Sequence, residues 1–195
     1  MLASLPALLS TACLVVTLHP VYEPETIAFD AALVGTWVSA DEERASTAEP
    51  VLGPTLTFER GEWHSYHLLV EGGRERFRAS ARLTRAGDRL LLDVSPLDGT
   101  DIPALVLPVH ILYRVVVDGD TLTLSGLDYD LLEAQLRQGD LGVAAVMDAR
   151  RNVVITAGTA ELRQWIASRS EENDAFGAPA IFKRKEADSA PEVPQ

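Results

Sequence analysis

The chain has four histidines, and two of them, His64 and His67, lie close together. Residues three apart on a strand point to opposite faces, so these two imidazoles cannot converge on one metal ion. His110 has no histidine or cysteine near it, but Arg114 follows four residues later and shares its face of a strand. Two readings follow: a hydrolase-like enzyme using both side chains within a barrel pocket, or a hydrogen-bonded structural histidine. Asp93, Asp98 and Asp101 gather around the loop 96–103. Calcium needs about six to eight oxygens from a prepared loop, and this spacing fits no such pattern, so a solvated loop is expected. Arg74, Arg76, Arg78 and Arg82 form a basic stripe along the polar face of one strand. They could meet anionic lipid headgroups or another acidic partner, or pair across strands with Glu59, Glu71 or Asp93. No nucleophile elbow, phosphate loop or zinc helix motif occurs, so no catalytic residue, metal or cofactor is assigned.

Cys13 is the one cysteine, which excludes an internal disulfide framework and any multi-cysteine metal site. Residues 1–18 carry no charge and are rich in leucine, alanine and valine. The run is shorter than the roughly 20 apolar residues that span a bilayer and suits the apolar part of a signal segment. Small residues Ser10, Thr11 and Ala12 precede Cys13, as signal cleavage before a lipidated cysteine requires, with Leu9 one place further back than a usual lipobox leucine. A small buried cysteine in a short terminal element is the alternative. After Leu18, Pro20 and Pro24 forbid a continuous helix and favour an extended tether. The expected organisation is therefore a signal segment at 1–12, a tether at 13–32, a folded domain at 33–185 and a disordered acidic tail at 186–195.

The chain is long enough for one domain with a substantial core. It carries 17 lysines and arginines against 29 acids, a formal charge of −12, which argues against nucleic acid as a partner. Apolar residues make up 47%, as in a folded protein.

The elements that position these side chains read mainly as strands. Leu56 and Phe58 alternate with threonines, and Phe77, Ala79, Ala81 and Leu83 alternate with Arg76, Arg78, Ser80 and Arg82. Leu90, Leu92 and Val94 follow, then the longest series, Leu107 to Val117, and then Leu122 and Leu124. Such alternation marks half-buried strands. Gly61-Glu62, Gly72-Gly73, Gly87-Asp88 and Asp118-Gly119 punctuate them as tight hairpins, which make neighbours antiparallel. Asp128 caps a short helix ended by Gly139, and Thr159 caps a second, with Leu162 and Trp165 covering a barrel end. Val153 to Ile155 reads as a strand between them, and Ile181-Phe182 as the closing strand. About eight or nine short antiparallel strands in meander order predict a closed barrel with two short helices towards the C-terminus. Its interior is either filled by side chains or open to a small apolar ligand.

Leu33-Val34-Gly35-Thr36-Trp37 resembles the glycine-x-tryptophan start of lipocalins and lipocalin-like domains. That resemblance implies a barrel end closed by Gly35 and Trp37, with Arg184 or Lys183 laid over the indole. A wider resemblance is to a group of bacterial lipoproteins. It rests on His19-Pro20-Val21-Tyr22, Asp30-Ala31-Ala32-Leu33-Val34-Gly35-Thr36-Trp37, Leu107-Pro108-Val109-His110 and Asp174-Ala175-Phe176-Gly177. It implies an exported protein anchored to a membrane of the bacterial cell envelope through a lipid on Cys13. The expectation is a non-enzymatic small-ligand-binding or envelope-accessory protein. The alternatives are the hydrolase-like enzyme, with His110 and Arg114 in a polar pocket, and a partner-binding module using Arg76 and Arg78.

Overall fold

The computed structural model describes residues 13–41, 52–72, 75–97, 107–169 and 174–185. The expected signal segment, the acidic tail, Arg74, Asp98 and Asp101 lie outside these residues.

Eight antiparallel strands close into a barrel. They are β3 (Gly35–Ser39), β4 (Thr55–Arg60), β5 (Ser65–Gly72), β6 (Glu75–Ala86), β7 (Arg89–Pro96), β8 (Ile111–Asp118), β9 (Thr121–Gly126) and β12 (Ala180–Arg184). They follow one another as a meander, and β12 returns between β9 and β3 to complete the ring. The long β6 carries the stagger that closure demands. Its residues 75–82 pair with β5 and its residues 79–86 with β7, while the short β2 (Ile27–Ala28) continues the first edge at Leu83 and Thr84.

Alternation along each strand fills the barrel. Leu56, Phe58, Tyr66, Leu68, Ala81, Leu83, Leu92, Tyr113, Leu122, Leu124, Trp37 and Phe182 point inward and are buried. On β6 the face holding Ala79, Ala81 and Leu83 is buried and Arg76 and Arg78 are exposed, so the expected register stands. Phe77 departs from it, 39% exposed at the strand's outer end. Leu107 also departs: β8 begins only at Ile111, and Leu107 is 72% exposed.

A second layer covers one flank of the barrel. It contains β1 (Val15–Thr17), β10 (Ala145–Met147) and β11 (Val153–Ile155), ordered β1-β11-β10, with α1 (Tyr129–Gln138) and α2 (Thr159–Ala167). Its apolar side meets Ala86, Leu91 and Leu112 on the outer face of β6, β7 and β8. Leu91 and Leu92 are thus both buried, one under this layer and one inside the barrel. Trp165 and Leu162 belong to the flank core, not to a barrel end as the sequence suggests. Asp128 accepts the Leu131 amide at 3.0 Å and Gly139 ends α1 at φ 79°. The cap of α2 is Gly158, because the Thr159 hydroxyl donates instead to the Pro20 carbonyl at 2.8 Å.

That bond belongs to the main correction to the expected organisation. Residues 13–32 are no free tether. Val15, Val16, Thr17 and Val21 are buried, β1 pairs in parallel with β11, and the chain then runs along the barrel to β2. The prolines do keep this stretch from forming a continuous helix, leaving only short 3-10 turns at Pro24–Thr26 and Ala31–Leu33, but its amides and apolar side chains find partners on the domain. No helix among the described residues is long and apolar enough to cross a membrane.

Candidate functional site

At the end of the barrel where β3 begins, Arg184 lies over Trp37 with its guanidinium carbon 4.1 Å from the ring centroid. It donates to the carbonyls of Val34 at 2.9 Å and Ala32 at 2.5 Å and approaches Asp120 at 3.2 Å. The Trp37 indole N–H donates to Leu33. Gly35 is required here twice over. Its φ is 132°, and a Cβ would lie 2.7 Å from the Arg184 guanidinium. Lys183 turns away to the Thr121 hydroxyl.

The strap between β1 and β3 crosses the same end. Phe29 stacks on Tyr66 with centroids 5.1 Å apart, and the Tyr66 hydroxyl accepts from the Asp30 amide at 2.7 Å and donates to the Asp30 carbonyl at 3.0 Å. Burial first, and then the Asp30 charge, raise the Tyr66 pKa above its ordinary 10.0, against the opposing effect of the Asp30 backbone bond.

Beside this plug lies a cleft of about 620 Å³ lined by Pro24, Ile27, Arg60, Gly61, Trp63 and His64. Its outer wall is the β4–β5 turn, where the backbone is strained. Trp63 at φ 52° and His64 at φ 60° occupy both central positions, with the Ser65 amide bonded to the Glu62 carbonyl at 3.0 Å. This is the φ signature of a type I′ turn, which asparagine and glycine normally make. Left-handed backbone at residues other than glycine costs on the order of 1–3 kcal/mol each and collects at functional sites. The sequence suggested Gly61-Glu62 as the turn centre. Gly61 instead sits before it, where a Cβ would meet the Ser65 hydroxyl at 2.5 Å. Trp63 is 87% exposed. Arg60 lies with its guanidinium 4.6 Å from the Phe29 centroid, and no described carboxylate pairs with it.

His110 and Arg114 lie outside the barrel wall. Nδ1 of His110 is 2.6 Å from Oδ1 of Asp93, whose side chain is wholly buried and whose Oδ2 accepts the Val21 amide at 2.8 Å. A carboxylate accepts, so Nδ1 carries the hydrogen. Tyr22 packs edge-on to the imidazole and Arg82 lies over Tyr22. Arg114 bonds to Asp174, which also pairs with Arg89 at 3.5 Å. His110 and Arg114 therefore serve different partners, Asp93 and Asp174. Arg78 is exposed, and Arg76 faces Glu71 at 3.4 Å.

Cys13 is a half-buried thiol in no disulfide, and it lies beside Tyr129 on the flank layer. The next amide, of Leu14, donates to Asn152. Among the described residues, no three of His, Cys, Asp and Glu gather where they could hold a metal ion.

Sequence reading did not single out Trp63, Arg60 or Phe29. An aromatic residue beside a glycine turn is a faint signal, and the cleft needs the strap, some 35 residues earlier in the chain, as its other wall. Neither a family model, nor a curated protein, nor a solved structure matches the chain.

Proposed function

We propose that this chain is an exported, non-enzymatic binding or envelope-accessory protein with a lipocalin-like barrel, carried on a bacterial membrane by a lipid on Cys13. The observation that supports binding is the contrast between interior and mouth. The barrel is filled by aromatic and aliphatic side chains, while the mouth offers an open, mostly apolar cleft beside a guanidinium. Ligand sites have this composition: apolar walls and a few polar groups that orient the guest. Arg184 over Trp37, next to a glycine that makes room for it, supports the lipocalin-like reading. Arg76 and Arg78 on the exposed strand face add a contact for an acidic partner or headgroup.

The anchor is tested by growing the source bacterium with labelled palmitate. Label enters the wild-type chain and not Cys13→Ser, and the variant moves to the soluble fraction. Each buried methylene contributes about 0.8 kcal/mol, so several acyl chains hold the domain where one would not. Wild-type protein without label refutes the anchor.

The Asp93–His110 pair favours a second reading, a hydrolase-like enzyme. A buried carboxylate orienting an imidazole is half of an acid–base device. Among the described residues no hydroxyl or thiol bonds to Nε2 of His110, and the strap covers the pair. Hydrolysis of a nitrophenyl ester that survives in wild type and vanishes in His110→Gln would establish it.

A further inference from the structure

The mouth cleft brings together a strained turn, an exposed indole and a guanidinium. The strained turn is the first clue, because Asn-Gly would make the same hairpin without strain. What Trp63 and His64 supply in exchange is side chains at the rim. The indole is held out into solvent instead of being folded onto the domain, although burying it is what an aromatic side chain ordinarily does. The second clue is Arg60, on β4 with the parity of inward-facing Leu56 and Phe58. At the strand's end it has passed the barrel's interior, so its guanidinium lies over Phe29 at the cleft and forms no ion pair with a described carboxylate. Pro24 and Ile27 give the opposite wall an apolar surface. The cleft thus brings together an aromatic plate, an aliphatic wall and a guanidinium that forms no ion pair among the described residues.

We infer that the cleft binds a small amphipathic anion: a planar or short-chain apolar body that stacks between Trp63 and Ile27, with a carboxylate or similar group on Arg60. This inference rests on the binding reading above and is independent of the anchor. It also places the ligand outside the barrel, between the strap and the β4–β5 turn, instead of in the barrel's lumen. A guanidinium meets a carboxylate through paired, charge-assisted hydrogen bonds, so the acid should be preferred to its neutral alcohol.

The test is calorimetric titration of the full chain with naphthoate and, separately, with naphthylmethanol. Naphthoate should bind saturably and about tenfold more tightly than the alcohol, the factor expected when one charge-assisted contact is lost. Arg60→Gln should remove that preference, and Trp63→Ala should weaken both probes. The double variant Trp63→Asn/His64→Gly keeps the turn, relieves its strain and carries the same anchor. It should melt higher than wild type and yet lose the naphthoate heat, which separates loss of the site from loss of the fold. Equal affinity for acid and alcohol, unchanged binding by the double variant, or no saturable heat in wild type would each overturn the inference. If the heat is absent while palmitate still labels Cys13, the site fails and the anchoring proposal stands.

Discussion

Replacing Asp93 should loosen the strap more than any single apolar truncation within it. Both carboxylate oxygens are committed, Oδ1 to His110 at 2.6 Å and Oδ2 to the Val21 amide at 2.8 Å, and the side chain has no exposed surface. Asp93→Ala strands two polar groups, the buried Val21 amide and the largely covered His110 imidazole. A buried donor left unsatisfied costs about 1–3 kcal/mol, so the pair costs on the order of 2–5 kcal/mol once partial relaxation is allowed. Asp93→Asn retains one acceptor and adds one donor, so it satisfies the Val21 amide or engages His110 in altered form, at about half that cost. In a domain of this size each kcal/mol moves the midpoint by roughly 2–4 °C, so Asp93→Ala should melt about 5–15 °C below wild type. Urea unfolding gives the free energies, and hydrogen exchange at the Val21 amide reports whether the strap has lifted. A loss under about 1 kcal/mol with the Val21 amide still protected would refute the assignment of Asp93 as the strap's fastening.

Three further outcomes follow from the packing. Ala81 points into a filled interior, so Ala81→Leu should destabilise by about 1–3 kcal/mol in urea unfolding, whereas an open lumen would accept it without loss. Arg184→Met keeps the stem over Trp37 but removes the charge and the bonds to Val34 and Ala32; it should cost about 1–3 kcal/mol and blue-shift or redistribute the Trp37 fluorescence. The raised pKa of Tyr66 means that the folded state holds its proton longer than the unfolded chain. Its contribution is complete below the ordinary value of 10.0 and lost as pH rises through the higher folded value, so stability should fall in alkali, and Tyr66→Phe should flatten that fall.

The meander was legible because its information is local. Alternating Ala79, Ala81 and Leu83 against Arg76, Arg78 and Arg82 fixes which face of β6 is inside, and a slip by one residue would put guanidinium groups in the core. The turn at Gly87 is legible for the same reason, with φ of 63° at the first central position; the Asp118-Gly119 turn sits one residue later than expected, since Asp118 ends β8 and Gly119, at φ 54°, takes the first central position. Alternation is silent about whether a partner strand exists. The pattern continues through Leu107 although pairing with β7 starts at Ile111. Consecutive Leu90, Leu91 and Leu92 did hint at a strand covered on both faces, but nothing local says that helices α1 and α2 supply the cover. The strap is not legible locally because its fastenings are distant in sequence: Asp93 lies 72 positions from Val21, and Thr159 lies 139 from Pro20. The cleft is hidden in the same way, because its two walls, the strap and the β4–β5 turn, meet only once β2 has paired with β6.

The parallel pairing of β1 with β11 also sets an order of events for the folding chain. Leu14 and Asn152 are joined across 138 positions, whereas β4 to β9 are joined by neighbouring hairpins or short connections. Local contacts form quickly and long loops close late, so the hairpins should assemble before β1 finds its place. During synthesis β1 emerges first, yet its partner strand is made only after α1. Throughout that interval Leu91 and Leu112 present an uncovered apolar flank, and the nascent chain carries a sticky surface that its own first strand must wait to help conceal.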